Sequence, residues 1–395
     1  MPIDTSAAVA RLMRLLAVPG ITGEEALIAK EIRAVLREGG VPNAWITFDE
    51  TNVHIPLPTQ TGNLIVTLPG TGKHKNANRI LFMTHMDTVP LCAGAKPKQV
   101  GKKIVNQAST ALGGDNRTGC AVLCTLAAEL LQNKLEHPPM TLLFTVREES
   151  GLFGARYLNP ADVGKPGMGF NFDGRSASDI IIGAVGADRW EVDIHGKASH
   201  AGVAPERGIS STAIFALALA DIHAQGWFGK VVKESREGTS NVGVVGGHDG
   251  KPAGDATNVV TDFLHVKGES RSHDSKFFKE ITAAYKEAFR KAVETIKDAD
   301  SKPGKFTFTA RTDYYPFKLK ENAPVVARAS QAVSAIGRTP NVRVANGGLD
   351  ANWMVKHGIP TVTFGAGQNE IHTVKEWVDL VEFEAGCNLA VAVAT

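Results

Sequence analysis

Partway along this chain the hydrophobic period changes, and that change limits the fold more than any other feature. Up to about residue 184, short apolar runs (63–68, 79–84, 141–146, 169–172) alternate with stretches of helical period (22–38, 117–132). Such alternation predicts an α/β unit with a mixed, mostly parallel sheet sandwiched by helices. From about residue 187 the order becomes strand (189–195), helix (210–225), strand (240–245), strand (259–267), helix (275–297) and strand (305–310). That β-α-β-β-α-β order is the split βαβ unit of ferredoxin-like α+β domains, a small fold complete in itself. After Tyr315 the chain returns to helices, a strand at 359–364 and a last helix from Lys375 onward. The expected organisation is one α/β domain built from 1–184 and 313–395, interrupted by an inserted domain over 185–312.

A length of 395 residues suits two domains, each large enough to bury a core. With 43 basic and 41 acidic side chains the net charge is +2, which argues against a nucleic-acid or membrane-surface partner, since both are bound through a net basic face. The N-terminal stretch is broken by Arg11 and Arg14 and reads as an amphipathic helix, not a signal peptide. No uncharged apolar run reaches the roughly 18 residues of a membrane span. Four Cys, at 92, 120, 124 and 387, form neither a disulfide scaffold nor a thiolate zinc pattern. A reducing, cytoplasmic setting is the expectation.

In open α/β sheets functional groups gather where strands end, and five such places carry His, Asp or Glu. Met83-Thr84-His85-Met86-Asp87 follows an apolar run. Strand alternation puts His85 and Asp87 on one side, as a ligand imidazole and an orienting carboxylate require; alone, the pair is an ordinary strand end. Leu112-Gly113-Gly114-Asp115 leads into a helix, where Asp115 is either an N-cap or a carboxylate aimed into a crevice by the paired glycines. Glu148 and Glu149 are adjacent; they form a solvated surface pair unless a metal captures one and leaves the other to carry protons. Asp173 and His372 complete the group, the latter after the turn Gly365-Ala366-Gly367. Together, two imidazoles and three carboxylates can hold two divalent cations about 3.5 to 4 Å apart if one carboxylate bridges them.

The spaced motifs resemble the co-catalytic zinc peptidases that include tripeptidase T, glutamate carboxypeptidase, aminoacylase and succinyl-diaminopimelate desuccinylase. The resemblance runs from His85 to Glu376 and covers the inserted domain. Its nearest pattern is the peptidase T-like branch, judged from Gly247, the run Ala256-Thr257-Asn258-Val259-Val260 and Gly268-Glu269-Ser270-Arg271-Ser272. The resemblance implies that Asp115 bridges two metals, that His85 and Asp173 complete one site, and that Glu149 and His372 complete the other. It makes Glu148 the general base acting on a metal-bridging water, and Asp87 the residue orienting His85. It makes the inserted domain a lid and homodimerisation module. There His200, in Gly196-Lys197-Ala198-Ser199-His200-Ala201-Gly202, stabilises the oxyanion, while Arg271 and Asn258 bind a substrate carboxylate. Leu349 departs from the pattern, where a small hydroxyl residue is commoner. The implied cofactor is a pair of zinc ions, with cobalt or manganese admitted by mixed His and carboxylate ligation.

The activity expected is hydrolysis of small peptides by an exopeptidase of di- or tripeptidase type. An N-acyl amino acid amidohydrolase or a carboxypeptidase on the same scaffold is the alternative. A non-catalytic dimeric peptide-binding protein is disfavoured by Glu148 standing beside all five ligands. Other catalytic patterns fail: the segment 69–74 lacks the residues of a phosphate loop and reads as a turn, and no G-x-S-x-G elbow occurs.

Overall fold

A computed structural model describes residues 3–395, and the chain divides into two compact units, Met1–Ala184 with Phe317–Thr395, and Val185–Pro316. The first is built on a nine-stranded sheet. At its centre Met140–Thr145, Ile80–His85, Met168–Phe172 and Thr361–Phe364 run parallel, while the pairings of Ile46–Phe48 with Leu64–Leu68 and of Phe317–Lys318 with Asp179–Ala184 at the two ends of the strand order are antiparallel. Ile80–His85 and Met140–Thr145 are buried at every position, as strands covered on both faces must be.

Side-chain alternation sorts these strands into two cores. Ile80, Phe82, Leu142 and Phe144 pack with Leu12, Ile28, Ile32 and Leu389 from the helices on one face. Leu81, Met83 and Leu143 pack with Ala155, Met354 and Ile359 on the other. The rings of Phe82, Phe170, Phe172 and Phe364 form a chain of aromatic contacts with centroids 5.4–6.5 Å apart. Each such ring stabilises the fold by about 1.5 to 3 kcal/mol through burial.

Two helices start later than the sequence places them, and one sheet is new. The helix expected from residue 22 starts at Ala26, because Thr22–Glu25 forms a turn in which Gly23 has φ +91 and Thr22 N–H donates to Thr88. The last helix is Leu380–Ala394; Asp379 caps it by accepting from Val381 N–H at 2.9 Å. Its expected first turn is instead the short strand Trp377–Asp379. That strand belongs to an unanticipated four-stranded sheet with Gln368–Asn369, Lys103–Asn106 and Pro97–Val100, whose elements are too short and polar to carry a period.

The second unit is a five-stranded antiparallel sheet with the helices Ser211–Ala224 and Ser275–Thr295, around a core that includes Trp190, Val266, Phe277 and Tyr285. Its strand order gains Gly229–Lys233, which hairpins onto Arg236–Gly246. The strand expected over 259–267 is Phe263–Ser272. Among the described residues no helix is long and apolar enough to cross a membrane.

Candidate metal centre

Because the central strands are parallel, their carboxyl ends lie along one edge of the sheet. His85 ends Ile80–His85, Asp173 follows Met168–Phe172, and Glu148 and Glu149 follow Met140–Thr145. His372 is carried by the loop between the paired strands Gln368–Asn369 and Trp377–Asp379. Asp115 stands at the head of the helix Gly114–Gln132, where it and Asn116 keep non-helical backbone angles and are joined by a cis peptide. The two glycines before it have separate reasons. Gly113 adopts φ +82, and a Cβ on Gly114 would lie 2.8 Å from Val378 and 3.2 Å from Glu376.

Asp115 makes no side-chain cap, so the N-cap reading fails. Its two oxygens turn to different imidazoles: Oδ1 lies 3.1 Å from His85 Nε2, and Oδ2 lies 3.2 Å from His372 Nε2. His85 Nε2 is also 3.8 Å from Asp173 Oδ1 and 4.0 Å from Glu148 Oε2. His372 Nε2 is 3.0 Å from Glu149 Oε2. The structure thus brings together all five ligand candidates, with Glu148 beside them. Asp87 lies directly beneath. Its carboxylate accepts the backbone N–H of Glu148 at 3.0 Å and of Glu149 at 3.2 Å, and its Oδ1 lies 3.4 Å from His85 Nδ1.

The electrostatics are those of a site short of positive charge. Among the described residues no Lys or Arg pairs with Asp87, Asp115, Glu148, Glu149 or Asp173. Burial pushes Glu148 well above the usual carboxylate range; His85 opposes this, and Asp173, Glu149 and Asp350 add to it. Burial, with Asp115 adding, moves Glu149 up to about 7 against its bond with His372. Asp173 is raised by burial and by Asp115. Asp115 is held low against burial by the two imidazoles, and it with Glu149 lifts His372 to about 10.

This donor set fits divalent cations. Two ligand atoms at about 2.0–2.1 Å from a tetrahedral ion stand about 3.3 Å apart; within the two groups that share Asp115 the imidazole-to-carboxylate separations run from 3.0 to 3.8 Å. The grouping of His85, Asp115 and Glu149, and of His85, Glu148 and Asp173, within 4.8 Å has the geometry of a cation site.

Three buried carboxylates support the site and escaped the sequence reading as functional residues. Glu376, 3% exposed, accepts the N–H of Leu112 and Gly113 at 2.8 Å and of Asp115 at 3.0 Å. Glu25, fully buried, joins Gly23 N–H at 2.7 Å to Arg147 N–H at 3.1 Å. Asp350 accepts from Thr145 Oγ and is raised to about 7, chiefly by burial. The only local signal was the position of Glu376 four residues after His372.

In the inserted unit, His200 pairs with Val259 in an isolated bridge, and Ala201 N–H donates to Asn258 O at 2.8 Å, so the His200 and Asn258 segments are neighbours. Arg271 lies in Phe263–Ser272 and donates Nη2 to Glu269 at 2.9 Å, leaving its buried Nε without a partner. Gly268 is explained by packing: a Cβ there would lie 2.1 Å from the Trp190 ring. Leu349 caps the helix Asp350–Lys356 through its backbone, with N–H donating to Asn352 Oδ1 at 2.9 Å.

Comparison with known proteins gives consistent results. The model of a family described as peptidase family M20/M25/M40 matches residues 81–395. The chain is 32% identical over 333 residues to the uncharacterized protein YqjE of Bacillus subtilis (strain 168), covering 84% of each. It matches the crystal structure of aminopeptidase PepT from Bacillus cereus ATCC 10987 at 32% identity and a TM-score of 0.82, over 99% of this chain and 98% of that one. A tripeptidase from Staphylococcus aureus subsp. aureus Mu50 is 26% identical with a TM-score of 0.86, over 100% and 98% of the two chains.

Proposed function

The chain belongs to peptidase family M20/M25/M40, as a metal-dependent peptidase of the peptidase T-like branch, and from that premise we propose that it is an exopeptidase removing residues from short peptides. The family is dinuclear, and zinc is the metal that His and carboxylate ligation of this kind suits. His85, Asp173 and Asp115 would hold one ion, and Glu149, His372 and Asp115 the other. The observation that carries the reading is the division of the Asp115 carboxylate between two imidazoles, 3.1 and 3.2 Å away.

Amide hydrolysis requires an activated water, a stabilised oxyanion and a proton for the leaving nitrogen. Bound divalent ions supply Lewis acidity and lower the pKa of water towards about 7. Glu148 takes the proton from the attacking water and returns it to the departing amine. Its surroundings support this role, since a carboxylate raised by burial and like charges is matched to proton transfer near neutrality. Asp87 fixes the backbone of Glu148 and Glu149 and orients His85. His200 stabilises the oxyanion, and Arg271 with Asn258 binds the substrate carboxylate. The inserted unit serves as lid and homodimer contact, a reading supported by the exposed apolar face of Ser211–Ala224, where Leu217 is 41% exposed. A cytoplasmic setting accords with four free, buried cysteines.

The test is hydrolysis of a free-amine tripeptide set against an N-acetyl amino acid, with product masses and elemental analysis of the purified protein. Release of the N-terminal residue, with two zinc per chain, is the expected result. Faster cleavage of the N-acetyl substrate would replace the exopeptidase reading by an amidohydrolase one.

A further inference from the structure

Asn116, the residue after the shared Asp115, is fully buried, and both ends of its carboxamide are engaged. Oδ1 accepts Gly119 N–H at 3.0 Å, which caps the regular part of the helix, and Gln368 Nε2 at 2.9 Å. Nδ2 donates to the carbonyl of Phe172 at 2.7 Å. A cap needs only the oxygen, and Ser, Thr or Asp would supply it. The nitrogen is what capping leaves unexplained. It cannot change places with the oxygen, since a flip would set Oδ1 against the Phe172 carbonyl and Nδ2 against the Gly119 N–H.

The bond to Phe172 holds the peptide unit that leads into Asp173. The carbonyl of that unit is fixed by Asn116, and its N–H, on Asp173, donates to Phe364 O at 2.8 Å. With both ends held, the Asp173 backbone is placed relative to Asp115. Gln368, 3% exposed, brings in a third segment: it lies in Gln368–Asn369, before the loop that carries His372, and its Nε2 is also 3.4 Å from Asp115 Oδ1. Gly119 makes the room, because a Cβ there would stand 2.5 Å from Phe172 O and 2.6 Å from Asn116 Oδ1.

We propose that Asn116 and Gln368 are positioning residues that clasp the segments of Asp115, Asp173 and His372 together and so set the spacing of the two metal ions. The inference rests on the dinuclear reading above. Carboxamides suit this role because they donate and accept without charge, and so add none to a site crowded with carboxylates. The Asn116 donor serves the Asp173 side. Its loss falls on the ion held by His85 and Asp173, while the ion of Glu149 and His372 keeps its ligands in place.

Asn116→Ser tests this, because serine keeps a neutral cap for Gly119 but is too short to reach Phe172. Zinc titration of the full-length variant against a chromophoric chelator should show one ion weakened by about 10- to 100-fold, as loss of an orienting partner does, and the other at the parent affinity. The visible spectrum of its one-cobalt form should match that of Asp173→Asn, which loses the same ion. Asn116→Ala should repeat the metal result and also lower the melting temperature, since it removes the cap. Gln368→Met, which keeps the length and removes the donor, should weaken zinc binding as well, and it decides the matter if Asn116→Ser does not fold. The proposal is overturned if the deciding variant holds both ions at parent affinity, if the two cobalt spectra differ, or if Asn116→Ser loses both ions equally, which would mean a general loosening of the site. A parent protein that binds fewer than two zinc ions would overturn the dinuclear reading, and the clasp with it.

Discussion

Glu376 grips the backbone N–H of Asp115 at 3.0 Å from 261 positions further along the chain. With Leu112 and Gly113 as its other donors, the same carboxylate sets the turn from which the shared Asp115 carboxylate is aimed. Glu376→Ala leaves three buried N–H groups unmatched, each costing about 1–3 kcal/mol unless water enters. It should lower the melting temperature and weaken metal binding by about 10- to 100-fold, as loss of a group that orients a ligand does. Competition with a chelator measures this; unchanged affinity would show that the turn holds without Glu376.

Glu148→Gln preserves shape and hydrogen bonding but removes the proton acceptor. Turnover should fall by about 10²–10⁴ while two metals remain bound per chain, as read by elemental analysis of the purified variant. Near-normal turnover would remove Glu148 from the proton-transfer role.

What the sequence disclosed and what it hid follow one physical line. His85, Asp115, Glu148, Glu149, Asp173 and His372 were legible because each stands at the end of an apolar run or a glycine turn, a signal carried by neighbours in the chain. Glu376, Glu25 and Asp350 act through bonds to segments more than 100 residues away, and no local pattern encodes such a partner. Likewise Gly229–Lys233 was hidden because its hairpin turns through Glu234, at φ +55, without the Asn-Gly or Asp-Gly that marks tight turns. The helix start at Leu380 was misplaced although Asp379 is a local cap, because the segment before it pairs with Lys103–Asn106.

Gly268 faces Trp190 across the sheet of the inserted unit. A Cβ there would lie 2.1 Å from the indole, so Gly268→Ala should cost about 1–3 kcal/mol through overpacking. Chemical denaturation followed by tryptophan fluorescence reads this directly. A stability within experimental error of the parent would mean that the ring has room to retreat.

Removing the metals should convert the site into a source of instability that depends on pH. Glu149 and Asp350 titrate at about 7 in the folded chain, above their ordinary values of 4.5 and 3.8. The folded state therefore holds more protons than the unfolded state between those limits, and stability must fall as pH rises through that window. His372, raised to about 10, acts in the same direction, while Asp115, held low, is ionised throughout and adds no slope. Chelator-treated protein should melt at a lower temperature at pH 7.5 than at pH 5.5. Readdition of zinc should abolish most of that difference at pH 7.5, because cations take over the neutralising role of the protons and bind only the folded chain. A chelated protein whose melting temperature is flat or rises over this range would show that the carboxylates relax apart once the metals leave.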